Sequence, residues 1–294
     1  MTALKTRHFP LVILVPVLGW FIVFFFYPAV NSLRMSTYEW NIIDPAGSPF
    51  VGLSNYRELF KDMVFLTSLK NTFLFVAIRV LLGIPIGLFI AVLLERIEIL
   101  RNFFLGLIFA PYVASITSMS ILFRWLLQPR FGLVNKILTS VGLPPQSLLS
   151  SPGQTILAAS LVDIWQSLGY SAVLFLAGLL EIPRDLSEAA RIDGANEWQV
   201  FFKVKLPLLA NVSLFVLVTT LIGAFQVFER VAMLAAPSVN DVRPSNYVMS
   251  FFIYRYAVHH MRLGYACAAA IVMFAIIFVF TLLQLKTLRR RWEY

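Results

Sequence analysis

Six apolar stretches, each of about 20 residues and each bracketed by polar or basic residues, leave this 294-residue chain little choice of fold. They run over residues 11–30, 73–94, 103–126, 155–180, 206–228 and 265–285. A backbone N–H or C=O in hydrocarbon has no water to bond, so each stretch must close its own hydrogen bonds as an α-helix. The expected fold is therefore an all-α membrane protein with six transmembrane helices. Composition agrees: 59% of residues are hydrophobic and 13% charged, whereas a soluble domain runs nearer about half and about a quarter. The formal charge of +9 would suit nucleic acid, but lysines and arginines flank the apolar stretches instead of forming one patch. They are read as topology information, with membrane lipid and no nucleic acid as the expected surroundings.

Lys5, Arg7 and His8 ahead of residues 11–30 give the start of the chain the look of a signal peptide. The apolar run is longer than the usual one and no small-x-small cleavage site follows, so it is expected to remain as the first span. Residues 34–70 are polar, with turn chemistry at Asp44, Pro45, Gly47 and Pro49, and Ser54 or Asn55 is expected to cap a short helix. Residues 1–70 thus read as an N-terminal span with an external segment, and 71–294 as the transmembrane core. Arg79 lies inside the second span, where a charge must face a partner, a cavity or the interface. Gly83 and Gly87 in the same span permit close helix contact. Tyr112 follows Pro111 in the third span, near Ser115, Thr117 and Ser118; these hydroxyls either line a path or bond back to their own helix. A turn-rich connector, 128–151, contains Pro129, Gly132, Gly142, Pro144 and Pro145, with Pro152 just beyond.

The fourth span carries Asp163, Trp165, Gln166 and Tyr170. Asp163 lies eight residues in, roughly 12 Å along the helix, and Gln166 and Tyr170 share its face. This face either meets a solute or merely supplies Asp163 as an ion-pair partner for Arg79. The fifth span ends in Thr219, Thr220, Gly223, Phe225 and Gln226, with Glu229 and Arg230 read as its exit. Tyr247, Phe251, Phe252, Tyr254 and Tyr256 are read as an interfacial aromatic belt, and Arg289, Arg290 and Arg291 close the chain. The single cysteine, Cys267, excludes an intramolecular disulfide and a cysteine metal cluster. His8, His259 and His260 lie outside the spans, so no catalytic residue and no metal site is assigned.

Between the fourth and fifth spans, residues 181–210 form a polar island with helical spacing. Pro183 and Asp185 suit a helix start, Gly194 suits a turn, and Trp198, Phe201, Phe202 and Val204 lead to Leu206 and Pro207. On pattern alone this reads as a cytoplasmic loop helix lying on the bilayer surface. The order Glu188, Ala189, Ala190, Gly194, Val204, Leu206 and Pro207 resembles the EAA loop of ABC-importer permeases, with Val204 where that family usually has isoleucine. Asp193, Gly194 and Ala195 resemble the variant of the carbohydrate-importing subfamily, the maltose-permease and glycerol-phosphate-permease type. Phe50, Gly52, Leu53, Asn55 and Tyr56, and later Gly132 and Asn135, are similar to further steps of the same pattern.

The resemblance implies a type I ABC importer fold in which loop 181–207 is a cytoplasmic coupling helix docked on a separate ATPase. Glu188, Ala189, Ala190, Asp193, Gly194 and Pro207 would then be the coupling residues. It further implies a substrate path through Tyr112, Ser115, Asp163, Gln166, Tyr170, Thr220, Gly223, Phe225 and Gln226. Asp163 and Gln166 stand where the maltose permease has an amide and an apolar residue, which leaves the sugar open. Putting both termini, the 95–102 turn and the coupling loop on one side collects the denser positive charge there, and that side is expected to be cytoplasmic. The chain has no Gly-x-x-x-x-Gly-Lys-Ser/Thr loop, so it is expected to be a non-catalytic subunit that binds no cofactor, with ATP and Mg used by a partner ATPase dimer. A second homologous permease and an extracytoplasmic solute-binding protein complete the implied partners, in a bacterial or archaeal plasma membrane. The implied cargo is an oligosaccharide, a glycoside or a glycerol-phosphodiester. The alternatives are an ABC permease for a non-sugar solute and an ion-coupled secondary transporter, which should show an inverted repeat and broken helices.

Overall fold

The computed structural model describes residues 14–149, 151, 153–235 and 242–288. Lys5, Arg7, His8, Pro152, Arg289, Arg290 and Arg291 lie outside the described residues, as does the start of the expected first span. In chain order the helices are α1 (Leu14–Met35), α2 (Ser54–Leu59), α3 (Met63–Glu95), α4 (Arg101–Val113), α5 (Ile116–Leu126), α6 (Leu133–Ser140) and α7 (Gln154–Glu181). They continue with α8 (Arg184–Ile192), α9 (Glu197–Leu208), α10 (Ala210–Phe225), α11 (Glu229–Ala235), α12 (Met249–Tyr254) and α13 (Leu263–Leu288). Among the described residues there is no strand, apart from one isolated bridge between Tyr38 and Phe50.

Four of these helices, α1, α3, α7 and α13, are long and apolar enough to cross a membrane. The total reaches six when α4 with α5, and α9 with α10, each count as one span bent by 92° and 69°. The expectation of a single helix over 103–126 is therefore corrected. Pro111 inside α4 has no N–H to give the preceding turn, and Ala114 and Ser115 then leave the helical region with ψ of 147° and 129°. The fifth span bends at Leu209, two positions beyond Pro207, and its helix stops at Phe225. The second span begins at Met63 instead of residue 73, because its polar start is self-sufficient. Ser68 and Thr72 donate to the carbonyls of Val64 and Ser68, one turn back, and so carry no need for water.

The chain divides into two compact units. One comprises Met1–Met63 and Phe252–Phe274. In it, α1 buries none of its apolar window against the rest of the chain. The expected capping of α2 does not occur: the residue ahead of it, Leu53, makes no side-chain cap. Asn55 is instead buried and donates to the carbonyls of Ser36 (2.9 Å) and Tyr38 (3.0 Å), clamping the chain as it leaves α1. Arg262 makes a two-pronged ion pair with Glu58, both contacts at 2.7 Å, and its guanidinium holds the Glu58 carboxyl below the usual range.

The other unit comprises Val64–Phe251 and Ala275–Tyr294 and is built around α7. Lipid tails are as apolar as leucine, so helices in a membrane associate through close packing and hydrogen bonds. Gly169 is where α7 meets α4: a Cβ there would sit 2.5 Å from the Phe109 Cα and 2.6 Å from the Ile108 carbonyl oxygen. At one end of the unit Ala91, Leu94, Phe175, Leu176, Leu179, Leu209 and Val216 form a buried apolar cluster joining α3, α7 and α10. The residues expected to form an aromatic belt are mostly core. Tyr247 and Phe251 are buried here, where Asn71 donates to the carbonyls of Ser245 and Tyr247 and Thr72 accepts the Met249 N–H, and Phe252 is buried in the first unit. Asn135 makes a similar clamp on the connector, donating to the carbonyls of Pro129 and Gln146 while accepting the Gln146 N–H.

Candidate functional site

Two places in the second unit gather the residues singled out by sequence. The first is a cavity of about 550 Å³ whose lining includes Arg79 from α3, Tyr112 from α4, Asp163 and Gln166 from α7, Gly223 from α10, Gln226 just after it, and Arg230 from α11. Its chemistry is set by one carboxylate held between two guanidiniums. Asp163 accepts Arg79 Nη1 on one oxygen and Arg230 Nε, at 2.8 Å, on the other. Arg230 Nη1 also donates to Gln166 Oε1 at 2.8 Å, and Gln166 Nε2 donates to the Ala114 carbonyl at 2.8 Å. That carbonyl lies at the bend between α4 and α5. The network therefore ties α3, α7 and α11 to the broken third span.

Burial makes this arrangement consequential. The Asp163 and Arg230 side chains are 6% and 5% exposed, where an unpaired charge is costly and a paired one must use its hydrogen bonds fully. Arg230 is thus no exit marker for the fifth span; it turns back onto Asp163. Sequence reasoning missed it, although an arginine followed by Val231, Ala232 and Leu234, all buried, carries the same warning as Arg79: a charge among apolar neighbours needs a partner. The Arg79 to Asp163 pairing that stood as the alternative for Asp163 is present.

Not all the proposed path residues reach the cavity. Tyr170 stacks its ring on Tyr112, centroids 5.2 Å apart and planes 18° from parallel, which sets it behind the lining residue. Phe225 is fully buried and packs against Phe73 and Phe280. Thr220 is buried too, and Ser115 is exposed at the bend.

The second place is the link between α7 and α10. Pro183 precedes α8 in an extended conformation and Asp185 lies in its first turn, where a negative charge meets the positive helix end. Gly194 ends α8 with φ +84°; its N–H donates to the Arg191 carbonyl and the Ala195 N–H to that of Ala190, the paired closure that a glycine at this position allows. Asn196 then caps α9, its side chain accepting the Gln199 N–H while Gln199 accepts the Asn196 N–H. Two firm caps thus make a short helix-turn-helix with little freedom at the turn. Glu188, Ala189, Asp193 and Gly194 are exposed, along with Ile192 and Trp198, whereas Ser187 is buried and Pro207 half-buried. A groove of about 530 Å³ runs between this link and the turn joining α3 to α4, with Glu188, Arg191, Arg96 and Glu98 among its lining.

With this geometry in place, comparison with known proteins identifies the architecture. Residues 83–293, which hold nearly all of both places, match the family model "Binding-protein-dependent transport system inner membrane component". The chain is 34% identical over 287 residues to the probable ABC transporter permease protein YurN of Bacillus subtilis (strain 168), covering 96% of each. It is 31% identical over 287 residues to the sn-glycerol-3-phosphate transport system permease protein UgpA of Yersinia enterocolitica, covering 97% of this chain and 95% of the relative. Its fold matches, with a TM-score of 0.84 and 25% identity over 98% of both chains, a chain in the crystal structure of a bacterial ABC transporter involved in the import of the acidic polysaccharide alginate. The helical architecture is that of type I ABC importer permeases, and the apolar helices and the family together make this a multi-pass membrane protein. The chain belongs to the binding-protein-dependent transport system inner membrane component family.

Proposed function

We propose that this chain is the permease subunit of an ATP-driven importer and forms, with a second homologous permease, the path for a sugar or sugar-like solute. The observation that carries it is the link between α7 and α10: a chain without a nucleotide-binding loop presents a doubly capped helix pair whose Glu188, Ala189, Asp193 and Gly194 are exposed. In this reading the link faces the cytoplasm, as do both termini, and docks on an ATPase dimer that uses ATP and Mg. An extracytoplasmic binding protein delivers the solute to the other side. Closure of the ATPases changes the contacts around the link, and contacts that differ between the outward- and inward-open states shift their populations. The glycerol-phosphate and alginate relatives support a sugar-like cargo, and the cavity suits one: Tyr112 offers a ring face to a pyranose and Gln226 an exposed amide to its hydroxyls.

The experiment is uptake by the complete importer in proteoliposomes alongside ATP hydrolysis. Glu188→Ala and Gly194→Ala leave the subunit assembled but uncouple hydrolysis from uptake; unchanged uptake in both removes the docking role. Tyr112→Ala and Gln226→Ala raise KM without loss of assembly, and wild-type kinetics in both would detach the cavity from the solute. The bends in the third and fifth spans are the feature shared with an ion-coupled transporter, and uptake persisting without ATPase subunits would favour that mechanism.

A further inference from the structure

Three ion pairs run from the turn between α3 and α4 to the link between α7 and α10: Glu95 to Lys205, Arg96 to Glu197 and Glu98 to Arg184. They are unequal. Arg96 with Glu197 (3.4 Å) and Glu98 with Arg184 (3.8 Å) have side chains more than half exposed, so solvent screens them and they contribute little. Lys205 Nζ instead lies 2.7 and 2.8 Å from the two carboxylate oxygens of Glu95, and these side chains are only 17% and 20% exposed. The turn that carries Glu95 is itself stiff. Arg101 donates from Nε to the carbonyls of Leu94 (3.1 Å) and Ile97 (2.9 Å) and from Nη2 to that of Glu95 (3.1 Å), satisfying acceptors that a helix end leaves open. Directly beneath, Leu94 from α3, Leu179 from α7 and Leu209 at the fifth-span bend belong to one buried apolar cluster.

We propose that Glu95 and Lys205 are positioning residues that fasten the α8–α9 link to the end of α3, so that link, turn and helix end move as one body during transport. The cavity wall is on the same helix: Arg79 lies sixteen residues before Glu95, about 24 Å along it. Movement imposed on the link is thereby carried to the partner of Asp163, while compliance is left to the bend at Ala114 and Ser115, where a single amide, Gln166, holds the released carbonyl. This rests on the link being the ATPase-coupling segment.

The test uses the complete importer in proteoliposomes, with uptake per ATP and retention of the ATPase subunits as separate readouts. Glu95→Gln and Lys205→Met each retain the ATPase and lower uptake per ATP about tenfold, and the charge swap E95K with K205E recovers most of the loss, as a direct pair requires. Wild-type uptake per ATP in either single variant, or a swap no better than the singles, overturns the proposal. Should the single variants fail to assemble, a cross-link decides. In a Cys267→Ser background, Arg96→Cys and Glu197→Cys are joined by a short thiol reagent. Transport equal to that of the same variant before cross-linking is expected for one rigid body, and transport lost on cross-linking means the two segments slide, which overturns it. Failure of the coupling role itself shows separately, as unchanged uptake in the Glu188→Ala and Gly194→Ala variants.

Discussion

The cavity around Asp163 and the link between α7 and α10 are built from the same side chains, arginine or lysine with carboxylate, and behave as opposites. In the cavity, one carboxylate serves two guanidiniums at 5–17% exposure, and the bonds among Arg79, Asp163, Gln166, Arg230 and the Ala114 carbonyl join segments far apart in the chain. At the link, Arg184 with Glu98 is 84% and 75% exposed, and Glu197 is shared between Arg96 and Arg191, all three about half exposed. Burial, more than the number of charges, decides which pairs fix the structure: water competes for the link's outer pairs and has little access to the cavity's or to Glu95 with Lys205. The inner network is thus held by contacts that water barely reaches, while the outermost pairs of the link can exchange partners at little cost.

The comparison breaks most easily at Asp163. Asp163→Ala leaves Arg79 and Arg230 without the carboxylate that both bond, with only the exposed Glu229 nearby, and removal of one partner from a buried pair costs about 3–5 kcal/mol; the expected result is loss of folded subunit from the membrane, read by thermal unfolding in detergent. Wild-type stability would mean that the two arginines reach water. Gln166→Leu comes next, stranding the Ala114 carbonyl and one Arg230 donor at about 1–3 kcal/mol, with increased protease access at the bend as a second readout. Arg184→Ala at the link is expected to change stability by no more than about 1 kcal/mol, and a larger loss would show that the exposed pairs are not screened.

The smallest effect concerns pH and lies in the first unit. Arg262 lowers the Glu58 pKa, so this pair's contribution is fully present above the ordinary glutamate pKa and is lost as pH falls through the lowered one. With both side chains nearly half exposed, the melting temperature of Glu58→Gln should trail that of the unsubstituted protein slightly at neutral pH and converge with it in acid. A gap that widens in acid would reverse the sign.

Much of the fold was legible because apolar length and helical spacing are local properties. Residues 155–180 and 265–285 were expected to span and lie inside α7 and α13, and the turn at Gly194 was expected from a residue without a Cβ. The Asp163 and Gln166 face was also readable, since positions three apart share a side of any helix. What escaped depends on contacts between distant segments. Arg230 is 67 residues from Asp163, the 92° bend removes Tyr112 and Ser115 from a common straight helix, and the aromatic alternation over 247–256 suits an interface or a core equally until Asn71 and Thr72 are seen to hold its backbone.

The sequence by itself determined that this chain must be helical, must cross a membrane repeatedly and must carry a polar link between two apolar spans, because a backbone in lipid has no other way to satisfy its hydrogen bonds. Tertiary structure alone decided which charges are neutralised by which. A buried carboxylate can be partnered from any helix that reaches it, and Arg79 and Arg230 reach Asp163 through the close packing of α3, α7 and α11, which no local pattern encodes.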